Sequence, residues 1–190
     1  MFENIIKNVH NRHPLIHCIT NYVSINDCAN IVLACGGAPI MAEDINEVSQ
    51  ITSICQGLDI NIGMLNDNKL SSMLKAGATA NELGIPVILD PVGAGSSDYR
   101  IKAVQNLMSN VQFGVIRGNV SEIKAIAAKQ GIHNIAAGVY ETMQKNKSAM
   151  GVEAGIADKI TDDNIKEMAD FINKPVSYTH LRAHETEADL

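Results

Sequence analysis

Two short segments of this chain carry the residue types that handle phosphate and metal. One is D-P-V-G-A-G at residues 90–95, the other R-G-N-V-S-E at residues 117–122. Asp90 supplies a carboxylate that can hold a hard divalent cation directly or through water. Pro91 biases Asp90 toward extended backbone, and Gly93 and Gly95 permit a sharp turn and close approach of a ligand to the main chain. Arg117 offers a planar fork suited to bidentate contacts with phosphate, and Glu122 adds a second carboxylate. Each has a structural alternative. Asp90 can cap the following turn or helix, Arg117 can be ion-paired, with Asp90 as one partner, and Glu122 can sit in a first helical turn after Asn119 or Ser121. The joint pattern is more specific than any one member.

Two further segments end in residues that suit a small ligand. Thr20-Asn21-Tyr22-Val23 closes an apolar run, and Asn21 can both donate and accept hydrogen bonds, or form a turn. Met41, in A-P-I-M-A-E, can wall an apolar pocket or fill the core. His10, His13 and His17 straddle Pro14 and share no helix face, so no metal site is expected from them. Gly93-Ala94-Gly95 is not a dinucleotide fingerprint, because the third glycine would fall at Asp98. No G-x-x-x-x-G-K-[ST] loop occurs.

The elements that position these residues follow from hydrophobic periodicity. Strands are predicted over Leu15–Ile19, Ala38–Met41, Leu58–Ile62, Val87–Leu89 and Val111–Ile116. Helices are predicted over Ser24–Cys35, Asp44–Cys55, Asp67–Leu83, Asp98–Ser109 and Ser121–Lys129, and further on over Tyr140–Lys147 and Asp162–Ile172. Ser24 and Asp27 have capping-box spacing, and Ile45, Val48, Ile51, Ile54 and Cys55 share the apolar face of the second helix. Alternation of strand and helix implies parallel strands with right-handed crossovers: an α/β three-layer sandwich whose site lies at the carboxyl ends of the strands.

Composition agrees with one globular domain. The chain has 190 residues, 46% hydrophobic and 19% charged, with no Trp and a net charge of −6. That balance lacks the clustered Lys and Arg of a nucleic-acid binder. Cys18, Cys28, Cys35 and Cys55 form no C-x-x-C pair and read as small buried thiols of a reducing compartment. No apolar run reaches the ~18 residues of a membrane span, and the N-terminus has no signal-peptide core, so no membrane partner and a cytoplasmic location are expected.

The end of the chain departs from this pattern. After Asn173 it runs K-P-V-S-Y-T-H-L-R-A-H-E-T-E-A-D-L, with little apolar periodicity where another buried strand would be expected. His180 and His184 stand at i, i+4, but a solvated tail is the expectation. The segment resembles translated adapter sequence. Residues 1–174 are therefore read as the domain and 175–190 as a non-native tail.

H-C-I-T-N-Y-V, G-G-A-P-I-M-A, L-D-P-V-G-A-G and R-G-N-V-S-E-I, in this order and spacing, resemble the hydroxyethylthiazole kinase family of thiamine salvage. The resemblance runs from the N-terminus to about residue 173. It implies a ribokinase-like three-layer sandwich with a mostly parallel sheet, and transfer of the ATP γ-phosphate to the primary alcohol of 4-methyl-5-(2-hydroxyethyl)thiazole. It also implies a homotrimer with thiazole pockets between subunits. By motif, Met41, Asn21 and Val23 would contact the thiazole, Arg117 the ATP phosphates, and Asp90 and Glu122 would organise Mg²⁺. Members of the family continue with a strand ending in Thr-Gly and a G-x-G-C/D segment whose backbone cradles the transferred phosphate and whose Cys or Asp activates the alcohol. This sequence has no such segment, so no catalytic base is assigned and the chain as written is expected to lack turnover, to fold poorly and to leave a sheet edge open. The alternatives are another small-alcohol kinase of the superfamily, or a non-catalytic ligand-binding or oligomerising fragment.

Overall fold

The computed structural model describes residues 2–129 and 176–182. Helix α1 (Phe2–Arg12) leads into strand β1 (Leu15–Ile19), then α2 (Ile25–Ala34), β2 (Ala38–Ile40), α3 (Val48–Ile54), β3 (Gly57–Asn61), α4 (Asp67–Glu82), β4 (Val87–Asp90), α5 (Asp98–Asn110), β5 (Phe113–Asn119), α6 (Val120–Lys129) and β6 (Val176–Arg182). The sheet has the order β2-β1-β3-β4-β5-β6, and every pairing is parallel.

The chain steps from β1 outward to β2, then returns to β3 on the other side of β1. This reversal makes the crevice beyond the ends of β1 and β3 the topological switch point, where open α/β sheets bind ligands. Right-handed crossovers set α2 on one face of the sheet and the helices after β2 on the other. On the latter face Ile19, Leu58, Ile60 and Leu89 form one core with Val48 of α3, Met73 and Ala76 of α4, Val104 and Leu107 of α5 and Ile123 of α6. The long helices begin on capped turns. Asn66 accepts from the Lys69 N–H, and Ser97 from the Arg100 N–H.

Several boundaries differ from the sequence reading, each for a physical reason. Helix α1 was not anticipated, although Phe2, Ile5, Ile6 and Val9 have helical spacing. Helix α2 has no capping box. Its N-cap Ser24 makes no side-chain cap, and the Asn21 carboxamide takes up the Ser24 N–H and hydroxyl instead. Helix α3 starts four residues late because Asp44 accepts from the Asn46 N–H in a side-chain turn, and Ile45 and Ile54 of the supposed apolar face are exposed. Strand β5 extends to Asn119, so Arg117 lies inside the strand and not after it.

Within the segment read as a solvated tail, residues 176–182 form a strand. Val176–Arg182 pairs along β5 from Phe113↔Val176 to Asn119↔Arg182. Backbone ladders place no demand on an apolar run, and V-S-Y-T-H-L-R carries the Val, Tyr and Thr that favour strands. The β5 edge is therefore paired and not left open. The helices expected over Tyr140–Lys147 and Asp162–Ile172 lie outside the described residues.

Candidate active site at the carboxyl edge of the sheet

Asp90 is the last residue of β4 and Arg117 lies near the end of the neighbouring β5. Arg117 Nη1 donates to Asp90 Oδ2 at 2.9 Å, so the ion-pair alternative for Arg117 holds. Its side chain is 49% exposed, which keeps the pair weak and leaves the guanidinium able to turn to another anion. Burial pushes the Asp90 carboxyl above its usual range, Arg117 pulls it back, and Glu122 raises it again. Among the described residues the other oxygen, Oδ1, receives no hydrogen bond.

Glu122 does what its first-turn alternative predicted, and more. Its Oε2 accepts from the Asn119 N–H at 2.9 Å while Asn119 Oδ1 accepts from the Glu122 N–H at 2.9 Å, a reciprocal cap on α6. Its Oε1 accepts from the Gly93 N–H at 2.9 Å. Gly93 has φ +66°, a left-handed turn that glycine adopts without strain. The D-P-V-G loop and the start of α6 are thereby locked together around Asp90 and Arg117. Asp90 and Glu122 are oxygen donors of the kind Mg²⁺ takes, one or two carboxylates with substrate phosphates and water completing the shell. No group of three His, Cys, Asp or Glu able to hold a metal occurs among the described residues.

The acceptor-side candidates lie at the other end of the same rim. Asn21 follows β1, and its Nδ2 donates to Asn61 Oδ1 at 3.3 Å across the switch point. Met41 follows β2 and is partly buried, whereas Val23 is 88% exposed. The structure brings Asn21 toward Asp90 through Asn61, whose Nδ2 donates to Asp90 Oδ2 at 3.2 Å. It gives Val23 no packing of that kind. An open, polar depression lies between Glu43, Asp44, Asn66, Lys69 and Ser72, and its lining contains none of Asn21, Met41, Asp90 or Arg117.

Three residues that shape the rim were missed in the sequence. Asn61 is one, and the N-I-G that ends β3 could have signalled it as Thr20-Asn21 signalled the end of β1. Lys69 is another. It is buried, donates to the Thr20 carbonyl, pairs with Glu43 Oε2 at 2.9 Å and lies over the Tyr22 ring, while the Tyr22 hydroxyl donates to Glu43. Burial raises the Glu43 carboxyl, but Tyr22 and Lys69 outweigh it and hold it below the usual range. Arg100 is the third. Its Nη1 donates to the carbonyls of Ile62 (2.6 Å) and Val92 (2.9 Å), and its Nη2 to that of Gly63 (2.6 Å). It pins the exits of β3 and β4 to each other. Neither Lys69 nor Arg100 had a local signal, since their partners are 8 to 49 residues away.

His17 and two of the cysteines are buried in the fold. His17 is buried between Thr52 Oγ1 and the Ala42 carbonyl, each at 2.8 Å. Cys18 and Cys55 are buried, and burial first, then Asp59, pushes the Cys18 thiol up to about 12. Cys35 is exposed, contrary to the buried reading, because it caps α2 beside the Gly36 turn. No helix among the described residues is long and apolar enough to cross a membrane.

Known proteins are similar to this chain in sequence and fold. The model of the hydroxyethylthiazole kinase family matches residues 6–166. Proteins called hydroxyethylthiazole kinase from Clostridium acetobutylicum and Methanobrevibacter smithii are 52% and 44% identical over 171 and 170 residues, 90% of this chain in both cases. Those alignments cover 57% and 56% of the relatives, so the chain spans about half the length of the curated relatives it matches. The solved structure of hydroxyethylthiazole kinase protein from Pyrococcus horikoshii OT3 superposes with a TM-score of 0.66 at 38% identity, over 72% of this chain and 53% of that one. The parallel sheet is thus the ribokinase-like α/β sheet expected from the motifs. With residues 6–166 inside one family model, this chain belongs to the hydroxyethylthiazole kinase family.

Proposed function

We propose that the chain holds the acceptor-binding and metal–phosphate parts of a kinase that phosphorylates the primary alcohol of 4-methyl-5-(2-hydroxyethyl)thiazole with ATP. The observation that carries this reading is the pairing of Asp90 with Arg117 at the carboxyl ends of adjacent strands, on the rim that also bears Asn21. In the transfer, the alcohol oxygen forms a bond to the γ-phosphorus as the bond to the β–γ bridging oxygen breaks, the hydroxyl proton passes to a base or to solvent, and ADP leaves. Such a reaction is governed by positioning and charge neutralisation. Arg117 is free enough to leave Asp90 for a phosphate, and Asp90, with Glu122 through water, would hold Mg²⁺. When bound, that ion neutralises charge on the phosphates. Asn21, Met41 and Val23 would contact the thiazole.

Val23 at 88% exposure cannot wall a pocket within one copy. Helix α2 buries none of its residues, and Ile31 and Leu33 stand exposed on it. Both features support a homotrimer in which a second copy closes the pocket. The half-length match supports a second reading for the chain as given: ligand binding without turnover.

A coupled ADP-release assay with the thiazole alcohol, alongside calorimetric binding and sedimentation, tests these readings. Binding of the thiazole alcohol and of Mg·ATP without ADP release is expected. Turnover by the 190-residue chain would overturn the no-turnover part. Absence of binding by either ligand in a folded chain would overturn the functional assignment itself.

A further inference from the structure

The rim carries an unbroken, one-directional series of hydrogen bonds. Asn21 Oδ1 is committed to the Ser24 N–H (3.0 Å) and hydroxyl (3.1 Å), so its amide group is the end that donates to Asn61 Oδ1. Asn61 Oδ1 also takes the Gly63 N–H at 2.8 Å, so the Asn61 amide group is the end that donates to Asp90 Oδ2. That same oxygen accepts from Arg117. Main-chain donors thus fix both carboxamides, and neither can flip without breaking two bonds.

The junction is also tightly built. Asn61 is only 9% exposed. A Cβ at Gly63 would lie 2.9 Å from Asn61 Oδ1 and 3.0 Å from Asn21 Nδ2, so a larger residue there would push on the two carboxamides. Arg100 holds the Ile62 and Gly63 carbonyls behind it. Asn61 and Asp90 are register partners on β3 and β4, which keeps their side chains on one side of the sheet.

We propose that Asn61 is a positioning residue that joins acceptor-side Asn21 to phosphate-side Asp90, so that occupation of either end of the rim favours occupation of the other. The proposal rests on the functional reading above. When a phosphate draws Arg117 away, the Asn61 amide is the donor that stays on Asp90 Oδ2, so a shift of Asp90 is passed through Asn61 to Asn21 while both carboxamides keep their orientation. Coupling of this kind is reciprocal: the factor by which nucleotide tightens the alcohol equals the factor by which the alcohol tightens nucleotide.

The test is calorimetry on the 190-residue chain. The Kd of the thiazole alcohol is measured with and without saturating Mg·ADP, and the reverse pair is measured as a check. In the wild type a mutual tightening of about fivefold is expected. In Asn61→Asp an oxygen still faces Gly63 and Asn21, but the donor to Asp90 is gone. The alcohol alone should then bind within about twofold of wild type, while the mutual tightening falls to about one. A general loss of fit or of metal affinity would shift the separate Kd values and leave the coupling factor alone, so that factor isolates the positioning role. Should Asn61→Asp fail to show a cooperative melt, Asn61→Ser, too short to reach Asp90, must give the same loss. Persistent fivefold coupling in either folded variant overturns the proposal, as does a wild type that binds both ligands with no coupling. A folded wild type that binds neither overturns the functional reading, and this proposal with it.

Discussion

The two faces of the central strands are built differently. On one, Leu58, Ile60 and Leu89 are sealed beneath α4 and α5. On the other, Ile88 of the same β4 is 40% exposed, and its register partner Asp59 puts a carboxyl against the sheet. Asp59 and Asn61 alternate to the same side of β3, as Ile88 and Asp90 do on β4. The closed face therefore supplies the stability. The other face supplies the polar groups that lead to the rim, where Asn61, Asp90 and Arg117 are tolerated because they hydrogen-bond one another.

The largest effect that would break this contrast is on the closed face. Leu89→Ala should lower the unfolding free energy by about 3 kcal/mol, the usual penalty for truncating a sealed leucine. Urea denaturation reads it directly. A loss below about 1 kcal/mol would mean that the α4–α5 layer is not the main source of stability.

A smaller effect of opposite sign is expected at Asp59. Burial first, and then the nearby Asp90, raise its carboxyl from 3.8 to about 6, with Arg117 pulling the other way. A carboxyl whose folded value exceeds its unfolded one contributes its stability below about 3.8 and loses it as pH rises through about 6. At pH 7 the ionised group is therefore a burden, and Asp59→Asn should stabilise the protein by about 1–2 kcal/mol. At pH 4 the advantage should be nearly gone. His17 runs the other way. Burial lowers it below 6.5, against the smaller effects of the Ala42 carbonyl and Glu47, so its contribution is present above 6.5 and lost on acidification. The two groups thus act with opposite signs between pH 6.5 and 5, and the Asp59→Asn variant should lose more stability on acidification over that range than wild type. Melting curves at four pH values check both signs. A variant no more stable than wild type at pH 7 would show that water reaches Asp59 more freely than its burial indicates.

What could be read from the sequence follows the same division. The closed face was legible because β1, β3 and β4 are short apolar runs between turn residues, and four of the predicted strands needed only small boundary shifts. Asp90 was legible as a strand end because a charge that abruptly ends an apolar run marks a strand's carboxyl end, whereas the same rule put Arg117 after β5 when it lies inside it. Asn61, Lys69 and Arg100 were not, since their meaning depends on carbonyls and carboxylates that only the folded topology brings near. Glu122 was ambiguous for a related reason: one carboxylate can cap a helix and face a ligand, and its local sequence is the same in both cases. Strand β6 escaped because edge pairing is a property of the partner's free backbone and not of the added segment's hydrophobicity.

The smallest expected effect is the most direct measure of how open the second face is. Ile88→Val keeps β-branching and strand propensity while removing one methylene from a side chain that is 40% exposed. Bookkeeping at ~25 cal/mol per Å² gives a loss below about 1 kcal/mol for so partial a burial. Measured in urea at two protein concentrations tenfold apart, the loss should be small and the same at both. A loss near 2 kcal/mol at either concentration would mean that Ile88 is covered in solution. If that loss grew with concentration, the cover would be another copy of the chain, since only association makes apparent stability depend on concentration.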